Sequence, residues 1–176
     1  ENRLFVSANG GAIAIVGALQ AHRSHVRVQE QGCEALANLC SLNAEDRRRA
    51  GSAGGVEAVV KALKAHRTSE AVQEQACVAL TNLCSQDVEN KRRAGRAGGV
   101  EAVVEALKAH RANTVVQERG CSALCRLCSG NDENKRRFGS AGGVEAVVEA
   151  LKAHTGNENV QDEGCRVLWH LCGVGD

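Results

Sequence analysis

The sequence predicts an all-α solenoid, and three observations carry the prediction. A block of 44 residues is written four times, dividing the 176 positions into 1–44, 45–88, 89–132 and 133–176 with none left over. Within each block the apolar residues recur at helical spacing, and glycines fall at fixed points of the period while proline is absent. A period of this length marks an architecture in which no unit buries its own apolar face and neighbours must stack to make a core. The expectation is one solenoid domain over 1–176 whose function is spread along a repeated surface. Because the chain starts in phase with the repeat and holds no methionine, it is expected to be a piece of a longer array or a processed product.

Each unit reads as short helix, sharp turn, helix, loop, helix. In the second unit Asp46 is expected to cap a stretch of one or two turns, Asp46-Arg-Arg-Arg-Ala50, which stops at Gly51 and the Ala53-Gly54-Gly55 bend. The middle helix places Val56, Val59, Val60 and Leu63 at i, i+3, i+4 and i+7, one apolar face. It ends in Lys64 and His66, where positive charge suits the C-terminal dipole. Thr68 or Ser69 then stands as N-cap of a third helix, whose apolar face is Val72, Ala76, Ala79, Leu80 and Leu83.

Composition closes off several classes. With 43% hydrophobic and 24% charged residues the chain has enough apolar side chain for a continuous core. The 22 Lys plus Arg against 21 Asp plus Glu leave a net charge of +1, so no global field recruits nucleic acid or an anionic membrane. No apolar run is long enough to cross a bilayer, and ENRLFVSANGG lacks the basic start and following apolar stretch expected of a signal peptide. No HExxH, P-loop or fixed Ser/His/acid set is present, so enzymatic activity and a cofactor are not expected.

Three helices in about 44 residues joined by an Ala-Gly-Gly turn resemble the armadillo repeat. The stretch ENKRRAGRAGGVEAVVEALKAH, followed by VQERGCSALCRLC, is similar to that family's pattern in all three helices. HEAT repeats, the nearest rival, have two helices and favour proline in the first. The resemblance implies a right-handed superhelix whose third helices line a concave groove for extended peptides or partner helices. In import adaptors and catenin-like members an Asn of the third helix grips the peptide backbone, and a Trp one turn earlier builds slots for basic side chains. Asn38 and Asn82 match the Asn, but Arg126 and His170 replace it, and the Trp position holds Glu34, Val78, Ser122 and Arg166. The Asn ladder is half present and the Trp array absent, which argues against import-adaptor recognition of nuclear localisation peptides.

The expected lane follows from i, i+4 and i+8 of each third helix: Glu30, Glu34 and Asn38; Glu74, Val78 and Asn82; Glu118, Ser122 and Arg126; Asp162, Arg166 and His170. It runs from acidic to basic. Read functionally, the Asn amides satisfy a peptide backbone while Glu30, Glu34 and Glu74 select a cation; read structurally, it is a solvated helix face. Trp169 lies one residue beside the lane, as an interface anchor or a cover on the end of the core.

The nine cysteines include three at i, i+4 and i+7, Cys121, Cys125 and Cys128. A metal or redox cluster would want such thiols to converge. Pairs seven apart on a helix lie about 10 Å apart along its axis, beyond disulfide reach. Buried free thiols are therefore expected, with Cys125 the most reactive, and a reducing compartment, cytoplasm or nucleus. His22, His66, His110 and His154 are read as caps on the middle helices. The triplets Arg47-Arg48-Arg49, Lys91-Arg92-Arg93 and Lys135-Arg136-Arg137 are read as a solvated basic ridge.

The expected function is a protein–protein interaction module, a scaffold binding a peptide or partner protein along the groove. The alternative is a structural spacer or engineered array without a groove ligand. Leu4, Phe5 and Val6, where inner units carry Arg48, Arg49 and Ala50, and Leu168, Trp169, Leu171 and Cys172 at the other end are expected to give weak end-to-end self-association.

Overall fold

A computed structural model describes residues 2–172, apart from the side chains of Arg3 and Leu4. Leu4's expected share in an apolar end face lies outside the described residues. Among the described residues twelve helices follow one another in four triplets: α1 (Asn2–Ala8), α2 (Gly11–Ala21), α3 (Val26–Cys40); α4 (Ala44–Ser52), α5 (Gly55–Ala65), α6 (Glu70–Leu83); α7 (Val88–Ala97), α8 (Gly99–Ala109), α9 (Thr114–Cys128); α10 (Asp132–Ser140), α11 (Gly143–Ala153), α12 (Glu158–Cys172). Each third helix packs along its length on the third helix of the next unit, α3 on α6 on α9 on α12. The predicted faces are the core: Val56, Val59, Val60 and Leu63 of α5 and Val72, Ala76, Ala79, Leu80 and Leu83 of α6 are all buried.

The bend between first and second helices needs both of its glycines, for different reasons. Gly54 has φ 84°, a left-handed conformation that a Cβ opposes. Gly55 is helical, but a Cβ there would lie 2.8 Å from the Ala50 carbonyl oxygen, so only the bare backbone lets α5 fold back against α4.

Buried amides hold the units together. The Gln73 side chain is 1% exposed. Its Nε2 donates to the carbonyls of Leu63 (3.0 Å) and His66 (2.9 Å), closing the C-terminus of α5. Gln29, Gln117 and Gln161 do the same for α2, α8 and α11. The helix-capping role expected of histidine belongs to glutamine, whose flat amide reaches two orphan carbonyls at once. The histidines bridge units instead: Nε2 of His66, His110 and His154 donates at 2.7 Å to the carbonyls of Arg23, Arg67 and Arg111 in the preceding loop.

A second amide ladder crosses the first helices. Asn90 Nδ2 donates to Leu83 O (2.9 Å) in its own unit and Arg47 O (3.1 Å) in the unit before, and Asn134 repeats this with Leu127 O and Lys91 O. Room for each amide is made by a glycine of the preceding unit: a Cβ on Gly51 would sit 1.9 Å from Asn90 Oδ1, and on Gly95 2.1 Å from Asn134 Oδ1. At the first junction the chemistry is exchanged. Ser7 takes the glycine's place and donates its hydroxyl to Asp46 Oδ1 (2.7 Å) where the Asn would be. Asp46 is therefore not the cap of α4. Asn43 caps it, accepting from the Glu45 and Asp46 amides, while the Asp46 carboxylate turns inward to Ser7 and to Asn43 Nδ2.

These ladders separate two substitutions of the same kind. Gly95→Ala drives a methyl into the Asn134 amide and should lower unfolding free energy by about 2–4 kcal/mol. Gly139→Ala, whose Cβ would meet nothing within 4 Å, should be neutral or stabilising by up to about 1 kcal/mol. Urea unfolding of the two variants checks the contrast, and equal effects would detach the glycine column from the ladder.

Candidate binding groove

The curvature of the array follows from how its layers pack. Third helices lie against one another, whereas consecutive middle helices leave clefts between α2 and α5, α5 and α8, and α8 and α11. The side that packs closer is the inner side of the curve, so the surfaces of α3, α6, α9 and α12 line the concavity. There the predicted lane residues stack as three columns of equivalent positions.

The first column is acidic in every unit: Glu30, Glu74, Glu118 and Asp162. Glu30 has no partner among the described residues, and Glu74 only Gln75 Nε2 at 3.3 Å. Glu118 meets Arg119 (3.3 Å) and Asn159 (3.1 Å), and Asp162 meets Arg166 (4.0 Å). In the second column Glu34 accepts, among the described residues, only from Gln31 (3.2 Å), Val78 packs partly on the core, Ser122 is half-buried, and Arg166 is held mainly by Glu163 (2.8 Å). Uncompensated negative charge thus gathers on the first two units, while arginines answer the acids of the last two.

The third column holds Asn38, Asn82, Arg126 and His170. Asn38 is exposed, but Asn82 donates Nδ2 to the Ala37 carbonyl of the previous unit at 2.9 Å, so one of its amide hydrogens already serves the scaffold. Trp169 does not cover the core: it is 64% exposed, with its ring against His170 at 4.8 Å between centroids.

Several side chains expected on the surface are recruited inward. Arg47 is buried, its Nη1 donating to Cys40 O at 2.9 Å, and Lys91 Nζ donates to Ser129 O at 2.8 Å. Neither belongs to an open basic ridge. Burial, with Arg126 nearby, lowers the Lys91 ammonium below its usual range. The remaining ridge cations are answered by acids: Arg48 and Arg49 by Glu45, Arg92 and Arg93 by Glu89, Arg136 and Arg137 by Glu133. Arg93 and Arg137 also reach back to Glu57 (3.6 Å) and Glu101 (3.2 Å) of the preceding unit.

With this geometry in hand, comparison with known families decides the class. The GAC ARM domain family matches residues 36–170. The chain belongs to that family. Solved structures similar to this ARM domain agree with its right-handed α-solenoid. One is an engineered protein, 32% identical, with a TM-score of 0.82 over 94% of this chain and 64% of that one. Another is a designed armadillo repeat protein in complex with the peptide (KR)4, 27% identical, with a TM-score of 0.80 over 96% of this chain and 67% of that one. A chain from a structure of the cadherin–beta-catenin interaction shares the fold at 18% identity, with a TM-score of 0.56 over 99% of this chain and 41% of that one. No curated protein matches the ARM domain.

Seven cysteines are buried and two, Cys165 and Cys172 on α12, are exposed. Desolvation pushes the thiols of Cys33, Cys40, Cys77, Cys84, Cys121 and Cys128 up to about 12 and raises Cys125 as well. The expectation that Cys125 reacts first is corrected: Cys125 is 5% exposed, covered by the neighbouring third helix, whereas α12 carries its thiols on an uncovered face. Among the described residues no group of three or more His, Cys, Asp or Glu could hold a metal ion.

A native thiol titration should therefore label Cys165 and Cys172 quickly and the other seven only on unfolding, and peptide mapping that finds Cys125 first would contradict this burial. The same desolvation fixes a pH dependence. Folded thiols keep their protons when unfolded ones, near 9.0, ionise, so their contribution is fully present below that pH and is lost as pH rises from 9 to about 12. Urea midpoints should fall steadily across that window.

Proposed function

We propose that this ARM domain is a peptide-binding scaffold whose groove takes an extended basic segment. The observation that carries the reading is the negative charge left uncompensated in the lane of the first two units, Glu30 and Glu74 of the first column and Glu34 of the second, beside the exposed amide of Asn38. Carboxylates at the spacing of stacked helices can take successive Lys or Arg side chains while amides hold the peptide backbone. Arg126, Arg166 and His170 then receive the less basic end, which gives the peptide a direction, with Glu118, Ser122, Val78, Asn82, Asp162 and Trp169 completing the wall. The designed relative in complex with (KR)4 supports a basic ligand, and this chain would meet it with carboxylates alone, since Glu34, Val78, Ser122 and Arg166 stand where the family resemblance expects Trp. A reading of the chain as a spacer has no use for charge sorted along one face.

Fluorescence anisotropy with labelled (KR)4 tests the proposal. Glu30→Lys with Glu74→Lys should weaken binding by at least about tenfold, and Asn38→Ala by about three- to tenfold. Glu105→Lys, on the middle-helix side, should have little effect. Equal losses from all three would reduce the binding to a diffuse field, and no binding by the folded parent would favour the spacer. Asn82→Ala is a poorer probe, since it also removes the bond to Ala37 and should lower stability by about 1 kcal/mol.

Buried thiols support a reducing compartment, cytoplasm or nucleus, and no described helix is long and apolar enough to cross a membrane. Weak head-to-tail association of the 176-residue chain is also proposed. Phe5 is 73% and Trp169 64% exposed on opposite end faces, and Gly139 has the open space that Asn90 and Asn134 fill beside Gly51 and Gly95. Sedimentation should show mass rising with concentration, suppressed by Phe5→Arg with Trp169→Gln; a strictly monomeric parent would refute it.

A further inference from the structure

The clefts between consecutive middle helices, on the face opposite the groove, are three versions of one site. They measure about 410 Å³ between α2 and α5, 140 Å³ between α5 and α8, and 330 Å³ between α8 and α11. Each is floored by a leucine of the earlier unit and alanines of the later one; in the first these are Leu19, Ala58, Ala62 and Ala65. Each carries an arginine at its mouth, Arg23, Arg67 or Arg111, whose Nε donates to the carbonyl three residues earlier. That bond fixes the root of every guanidinium in the same way.

The difference lies in what faces the arginine. In the third cleft Arg111 Nη1 meets Glu149 at 3.0 Å. Two periods earlier, 111 − 88 = 23 and 149 − 88 = 61, the equivalent positions are Arg23 and Lys61, both lining the first cleft. The repeat geometry that elsewhere makes an ion pair here sets two cations side by side. Neither the terminal nitrogens of Arg23 nor the Lys61 ammonium has a partner among the described residues, and the acid in this cleft, Glu57, turns Oε1 to Arg93 of the next unit at 3.6 Å while its buried Oε2 has no hydrogen-bond partner. Two cations lining one cleft repel unless an anion lies between them. Below them is an apolar floor in a cleft of the size that takes small ligands.

We propose that the cleft between α2 and α5 binds a small aliphatic carboxylate, its head between Arg23 and Lys61 and its tail on Leu19, Ala58 and Ala62. A chain of about eight carbons suits the volume. The site is independent of the groove and stands whether or not the groove binds a basic peptide. The two sister clefts, with Glu105 and Glu149 where the first has Lys61, are built-in controls that an anion avoids.

The test is titration of the 176-residue chain with octanoate, followed by methyl NMR of the alanines and by calorimetry. Saturable shifts at Ala58, Ala62 and Ala65, with one equivalent bound, are expected. Lys61→Glu should weaken binding by about tenfold or more, and because it recreates the pair made by Arg111 and Glu149 it should melt no lower than the parent. Glu149→Lys should install a second site between α8 and α11. Octylamine binding as well as octanoate, unchanged affinity in folded Lys61→Glu, a single equivalent in Glu149→Lys, or no saturable shift at millimolar octanoate would each overturn the assignment.

Discussion

The array depends on side-chain amides buried where helices end. A solenoid of short helices exposes many unpaired carbonyls at its internal ends, and leaving one buried without a donor costs about 1–3 kcal/mol. Gln73 and its counterparts each satisfy two such carbonyls at the end of a middle helix, and Asn90 and Asn134 each take one from their own unit and one from the unit before. Because each amide is fixed at both nitrogen hydrogens, it sets distance and rotation between helices. Leucines and valines, which pack without direction, could not set that register.

That constraint explains what was legible in the sequence. The fold was readable because its signals are periodic: apolar residues at i, i+3, i+4 and i+7, and the Gly54-Gly55 bend. The glutamine column was visible as a pattern, but its role was not, since the two carbonyls it meets lie 10 and 7 residues upstream and only the folded unit brings them together. The same applies to Arg47, which looks like a member of a surface triplet until Cys40 O is found beside it. Cys125 misled for a complementary reason: exposure of a thiol on a third helix depends on whether another unit covers it, and Cys165 and Cys172, ordinary ladder residues by sequence, are the uncovered ones.

The candidate groove was legible in its columns but not in its charge balance. The acids at Glu30, Glu74, Glu118 and Asp162 look alike in sequence. Arg119 and Arg166, on the same helices as Glu118 and Asp162, quench the last two, whereas Arg27, which stands one turn before Glu30, makes no ion pair with it among the described residues and leaves the first two open. The contrast between Asn38, exposed, and Asn82, bonded to Ala37, is likewise a matter of neighbours.

The exchange of Gly and Asn for Ser7 and Asp46 at the first junction makes the units less interchangeable than their sequences suggest. A copy of the second unit inserted behind itself would set Asp46 against Gly51, with no hydroxyl to donate and a carboxylate left stranded in the seam. A copy of the third unit behind itself would rebuild the seam intact, with Asn90 against Gly95, His110 against the Arg111 carbonyl and Lys108 against the Ala97 carbonyl. Growth of such a chain by duplication is therefore gated at its joints: a copy of one interior unit finds its seam contacts waiting, and a copy of its near twin does not.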